Sequence, residues 1–125
     1  MTQAEQAFLG LLAIGVFSID VEGRIWKHRR LIAGSPPYWK DHDPTIRAEK
    51  SMSDLYPTVM FSDGRKRYTV FAHRVVWMFA AQADIPPGWQ VNPKNGKRAD
   101  THPSNLECLT PEDIRVRQLP QVTST

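Results

Sequence analysis

Gly88-Trp-Gln-Val-Asn-Pro-Lys-Asn-Gly-Lys-Arg-Ala-Asp-Thr-His-Pro-Ser-Asn-Leu-Glu-Cys-Leu-Thr-Pro-Glu-Asp-Ile-Arg-Val-Arg117 is the stretch that decides how the chain is read. Two short apolar runs, Trp89 to Val91 and Leu106 to Leu109, flank a polar loop that carries Asn95-Gly96. Each run is the length of a strand, and the residues between them suit a turn. The second run leads into Thr110-Pro111-Glu112-Asp113. There Thr110 can cap a helix, Pro111 suits its first position and Asp113 closes a capping box. The expected order is strand, long loop, strand, helix.

Five motifs in and around this stretch carry a family resemblance. They are Ala72-His73-Arg74-Val75-Val76, Ile85-Pro86-Pro87-Gly88, Val91-Asn92-Pro93-Lys94-Asn95-Gly96, Pro103-Ser104-Asn105-Leu106-Glu107 and Thr110-Pro111-Glu112-Asp113. In this order and without a gap, they resemble the ββα-metal (His-Me finger) core of the HNH endonucleases, in the branch common in phages and mobile introns. The resemblance covers roughly the second half of the chain. It implies an α+β fold, double-stranded DNA as partner, and hydrolysis of a phosphodiester with a divalent metal.

The resemblance also implies where the reacting groups should stand. The residue aligned with Asn92 is a metal ligand in the family, the next is the histidine that activates water, and a second ligand lies on the helix four residues after the capping threonine. Here the last two positions hold Pro93 and Ile114. Proline has no titratable group, so Pro93 cannot take a proton from water. Ile114 has no lone pair for a hard cation such as Mg²⁺. Asn92 keeps an amide oxygen, and one neutral ligand holds Mg²⁺ poorly. Asp113 lies about 100° around the helix from Ile114 and is already explained by the capping box.

The same resemblance assigns supporting roles. His73 stands at the strand-to-helix junction as a structural residue. Arg74 beside it can reach phosphate, or can form a surface ion pair. Asn105 ties the long loop to its own backbone. His102, the only imidazole inside the core motif, suits a DNA-facing or solvent position ahead of a substitute base.

Composition is consistent with one domain: 125 residues, of which 41% are hydrophobic. The expected organisation is an N-terminal helix, hairpin and connecting segment over 1–54, an HNH-like domain over 55–119, and a frayed tail over 120–125, in one compact unit. The single cysteine excludes an internal disulfide and a Cys-rich structural zinc site. Cys108 lies in an apolar run and suits a small buried hydrophobe. No basic-then-apolar leader opens the sequence and no run approaches a membrane span, so a cytoplasmic location is expected.

Net charge is only +3, yet its distribution is uneven. Between Gly64 and Ala99 lie Arg65, Lys66, Arg67, Arg74, Lys94, Lys97 and Arg98 against Asp84 alone. Arg24, Lys27, His28, Arg29 and Arg30 form a second cluster. Clustered positive charge is the footprint of a polyanion binder, although a solvated basic face has the same composition.

The first half reads more simply. Thr2-Gln3-Ala4-Glu5 has capping-box form, with Phe8, Leu9, Leu11 and Leu12 following at helical spacing. Val16 to Ile19 and Arg24 to His28 suggest a hairpin around Glu22-Gly23. Arg30 to Asp54, rich in Pro, Gly and charge, predicts a long connection with a helical turn from Thr45 to Met52. Asp63-Gly64 predicts a two-residue turn between Tyr56–Ser62 and Arg65–Ala72. Val59 and Phe61 share one face there, and Tyr68, Val70 and Ala72 another. His73 to Ala83 predicts a helix with Val75, Val76 and Phe79 buried and Trp77 beside them. Trp26, Trp39 and Trp89 suit core or hinge filling ahead of base stacking.

Three functions follow. The first is a DNA-binding protein on an HNH scaffold whose cleavage is lost or nearly lost. Lys94, Lys97, Arg98, Arg115 and Arg117 would be at phosphates, with Arg65, Lys66 and Arg67 widening the surface. It would need no cofactor. The second is a working nicking endonuclease with weakly bound Mg²⁺ or Mn²⁺, in which His102, or His42 with Asp41 and Asp43, replaces what the motif lacks. The third is a phage protein-interaction module for a phage or host partner, using exposed aromatics such as Trp39.

Overall fold

Thr2 starts the first element as its sequence predicts. The Thr2 hydroxyl accepts from the Glu5 N–H at 3.1 Å while Glu5 Oε1 accepts from the Thr2 N–H at 2.9 Å. This capping box satisfies two donors that a helix start leaves open. Helix α1, Gln3–Ala13, follows and buries Phe8 and Leu11. The computed structural model describes residues 1–50 and 55–118, with the backbone alone described at 42, 43, 44, 46 and 118.

Strands β1 (Phe17–Ile19), β2 (Ile25–Ile32) and β3 (Tyr38–Arg47) form an antiparallel sheet in that order. The third strand corrects the expected connection: the chain from Tyr38 to Arg47 is extended and paired, and no helical turn begins at Thr45. The physical reason is position. As an edge strand, β3 tolerates proline and charge that would break an inner strand. A register shift opposite Lys27 and Arg29 absorbs its extra residues. The part of the expected turn over 51–52 lies outside the described residues.

Strands β4 (Thr58–Ser62) and β5 (Arg67–Phe71) make a hairpin. Its central residues are Gly64 and Arg65, not Asp63 and Gly64, because the Asp63 N–H donates to the Lys66 carbonyl at 3.3 Å. Gly64 takes φ +91°, and a glycine at the first central position suits the type II′ turn. The register pairs Val59 with Val70 and Phe61 with Tyr68. Those side chains therefore share one face instead of two.

Helix α2, Ala72–Ala81, stops before the expected Ala83, with Gln82 in the left-handed region as its C-cap. Val75 and Val76 are buried as expected; Phe79 is 38% exposed and Met78 takes the inward position. Strands β6 (Gln90–Pro93) and β7 (Leu106–Leu109) form a two-stranded sheet, and helix α3 runs from Pro111 to Gln118. The chain is thus α+β, with α2 packed against β5, β6 and β7. At the centre of the core, the rings of Phe8, Phe17 and Phe61 lie 4.9–5.9 Å apart, joining α1 to both N-terminal sheets.

Candidate functional site

The order β6, loop, β7, α3 places the family motif. In the ladder, Val91 faces Cys108, Asn92 faces Glu107 and Pro93 faces Leu106. Val91, Leu106 and Leu109 are buried, so alternation leaves Asn92 half-buried. Pro93 is half-buried as well, and its carbonyl accepts from the Gly96 N–H at 3.2 Å.

Asn105 organises the loop. Its Oδ1 accepts from the Asn95 N–H at 3.2 Å, and its Nδ2 donates to Asn95 Oδ1 and to the Asp100 carbonyl, both at 3.0 Å. Asp100 in turn accepts from Asn95 Nδ2 at 2.9 Å and from the His102 N–H at 3.2 Å. A short 3₁₀ turn, Pro103–Asn105, closes the loop. The buried Thr101 hydroxyl donates to the Gly23 carbonyl at 3.0 Å, docking the loop on the β1–β2 turn. Gly23 has φ +80°, and a Cβ there would stand 2.0 Å from the Thr101 carbonyl oxygen. Only glycine allows that approach.

His102 is exposed and caps the 3₁₀ turn. Its Nδ1 accepts from the Ser104 N–H at 3.2 Å. An accepting Nδ1 puts the ring proton of a neutral imidazole on Nε2. The contact engages Nδ1 in the turn, with the Ser104 hydroxyl 2.8 Å from the same nitrogen. Asp41, from the other suggested set, pairs with Arg29 at 3.2 Å. The side chains of His42 and Asp43 lie outside the described residues.

Helix α3 begins as its sequence predicts. The Thr110 hydroxyl accepts from the Asp113 N–H at 3.0 Å and Asp113 Oδ2 accepts from the Thr110 N–H at 3.2 Å. Asp113 is thereby committed to the cap. Ile114, one residue on, is half-buried.

Residues 70–116 match the family model described as HNH endonuclease. That segment is similar to the HNH endonucleases. It runs from the end of β5 to α3 and contains every motif element just described. Comparison with curated proteins and with solved structures finds no match.

At the positions where the resemblance to the HNH endonucleases would put a metal, the side chains do not fit a divalent ion. Asn92 offers a single amide oxygen, and Pro93 and Ile114 offer no side-chain donor. Among the described residues, no group of three or more His, Cys, Asp or Glu is placed to hold a metal. Hard cations need several oxygen ligands.

The basic residues divide into two sets. Arg74, read as a phosphate contact or a surface ion pair, forms an ion pair directed inward: Nε and Nη2 donate to the Glu5 carboxylate at 2.6 and 3.3 Å, and Glu5 is 2% exposed. Burial would raise the Glu5 carboxyl, but hydrogen bonds from Arg74 and Thr2 outweigh it and hold it below its ordinary value. Arg117 pairs with Glu107 at 2.8 Å. The Arg98 guanidinium lies 5.4 Å from the Tyr56 ring centre, and Tyr56 stacks on His73 at 4.1 Å. Lys66 lies over Tyr68 at 5.6 Å. Lys94, Lys97 and Arg115 in the HNH segment, and Arg65 and Arg67 before it, are exposed with no ion pair among the described residues.

Sequence reasoning missed Glu5 as the partner of Arg74, because the capping box already accounted for it. It also missed Tyr56 as the platform for both His73 and Arg98. No local pattern signals either contact, since each joins residues far apart in the chain.

Proposed function

We propose that the chain binds double-stranded DNA through its HNH segment and has lost, or nearly lost, the ability to cleave it. What supports this reading is the strand-loop-strand-helix of the matched segment, in which Pro93 and Ile114 stand where the resemblance would put a proton acceptor and a metal ligand. Lys94, Lys97 and Arg115 supply phosphate contacts, with Arg98 and Arg117 beside them and Arg65 and Lys66 at the margin. Such contacts give affinity by counterion release and carry little sequence preference. Binding on this reading needs no metal, because phosphate contacts from lysine and arginine suffice.

Two measurements test it. Duplex binding should survive EDTA and weaken steeply as salt rises from 50 to about 200 mM, the regime in which released counterions dominate. Lys97→Ala with Arg98→Ala should lower affinity further and flatten that salt slope. Supercoiled plasmid with Mg²⁺ or Mn²⁺ should stay supercoiled. Nicking by the unaltered chain would make it a working endonuclease, and salt-independent or absent duplex binding would remove DNA as its partner. In Pro93→His with Ile114→Asn, the return of metal-dependent nicking would identify the two replacements as the cause of the loss.

A further inference from the structure

A cavity of about 400 Å³ lies between the N-terminal sheet and the β4–β5 hairpin, and none of its lining residues belongs to the 70–116 HNH segment. Its size falls within the range of pockets that hold small ligands or single nucleotide units. Four cations line it, Lys27 and Arg30 from β2, Lys50 before β4, and Arg67 from β5, and no carboxylate does. None of the four has an ion pair among the described residues. They come from segments far apart in sequence, so the fold itself gathers them. The arrangement absorbs part of the first-half basic cluster, which the HNH surface does not use.

The walls add the second requirement. Trp39 and Tyr68 line the cavity beside Phe61, and Met60, 62% exposed, stands at the same opening. Four cations with no carboxylate among the lining residues give the cleft a positive field that suits an anionic ligand. A ligand with only an anionic group would leave the aromatic walls unused. A nucleotide supplies both a phosphate and a flat π-face, and base stacking on aromatic side chains is the usual partner of a cationic rim. A duplex keeps its bases stacked inside, so a cavity of this size admits a nucleotide only when it is unpaired.

We propose that this cavity holds an unpaired nucleotide of a single-stranded nucleic-acid segment. Its base stacks at Trp39 and its flanking phosphates meet Arg30, Lys50 and Arg67. This site is separate from the duplex-binding surface of the HNH segment and does not rest on that reading.

The test compares a fluorescein-labelled dT12 strand, a 12-base-pair duplex and free dTMP as probes of the full chain. Fluorescence anisotropy gives affinity and tryptophan emission reports stacking. Arg30→Ala with Lys50→Ala should weaken dT12 binding about tenfold or more, an effect of the size expected for losing two phosphate contacts and their support of one stacked base. Duplex binding should change less than about twofold. Trp39→Phe, which keeps a ring in the core, should abolish the dT12-induced quenching while retaining most of the affinity. Unchanged thermal unfolding of each variant would exclude loss of fold. Equal weakening of duplex and strand, quenching that persists without Trp39, or dTMP binding as tightly as dT12 would each overturn the proposal.

Discussion

His73 is 6% exposed, its ring stacks on Tyr56, and its Nδ1 has no hydrogen-bond partner among the described residues. Burial pushes its pKa from the ordinary 6.5 down to about 4; the neighbouring Arg74 adds to the shift and Glu5 opposes it. The sign follows from proton counting. Below pH 6.5 the unfolded chain takes up a proton that the folded chain refuses until about pH 4, so stability falls as pH drops through that window. At roughly 1.4 kcal/mol per unit, the loss between pH 7.5 and 5 is about 2 kcal/mol. Glu5 acts lower, since its carboxyl is held below 4.5 and contributes stability until pH falls through that depressed value. His73→Phe keeps a ring against Tyr56 and removes both the proton and the orphaned nitrogen. Urea midpoints at pH 7.5 and 5 should differ clearly for the native chain and by less than half as much for the variant. Identical pH slopes would place the acid sensitivity on another group.

At the scale of elements, helix α3 depends on its cap more than the longer helices do. Its eight residues are too few for a stable helix in isolation, and the Thr110–Asp113 box supplies two of the hydrogen bonds that open its first turn. Thr110→Ala should cost about 1 kcal/mol and fray the turn that carries Arg115 and Arg117. Urea unfolding would read the first effect and weaker duplex binding the second; unchanged binding would take α3 out of the DNA surface. Both capping boxes were legible because they need only four adjacent residues. The β6–β7 ladder was legible because its apolar runs are bounded by turn residues. Strand β3 was not, since an edge strand needs neither an apolar face nor freedom from proline, and its pairing with β2 is a tertiary event. Phe79 was misplaced for a similar reason: the helix stripe alone does not say which side of Val75 and Val76 meets the sheet. Within the site, the expectation that Pro93 and Ile114 stand in place of a base and a ligand rests on the family resemblance, which the sequence motifs carry by themselves. The cap held by His102 and the commitment of Arg74 to Glu5 could not be read from them, because each depends on where a side chain turns in three dimensions.

Across the whole molecule, the Glu5–Arg74 pair spans 69 residues of sequence and joins α1 to the helix that opens the HNH segment. Glu5 is almost fully buried, so the pair is costly to break from one side. Arg74→Met leaves a desolvated carboxylate with no cation, a loss that runs to about 3–5 kcal/mol in comparable buried pairs. Glu5→Gln removes the charge while keeping an oxygen for the capping box, in which Gln serves as well as Glu. The double variant Glu5→Gln with Arg74→Met should therefore recover much of what Arg74→Met alone loses, a coupling that a double-mutant cycle reads directly. Were α1 merely resting on an independent HNH unit, Arg74→Met would detach the N-terminal segment, unfolding would split into two transitions, and the double variant would split likewise. If instead the chain folds as one cooperative unit, each variant keeps a single transition that shifts as a whole. Plasmid and duplex assays on the same variants would then show whether the pair also sets the DNA-facing surface: binding retained in the double variant would make the ion pair a structural tie, and binding lost in both would give Arg74 the phosphate role its sequence position first suggested.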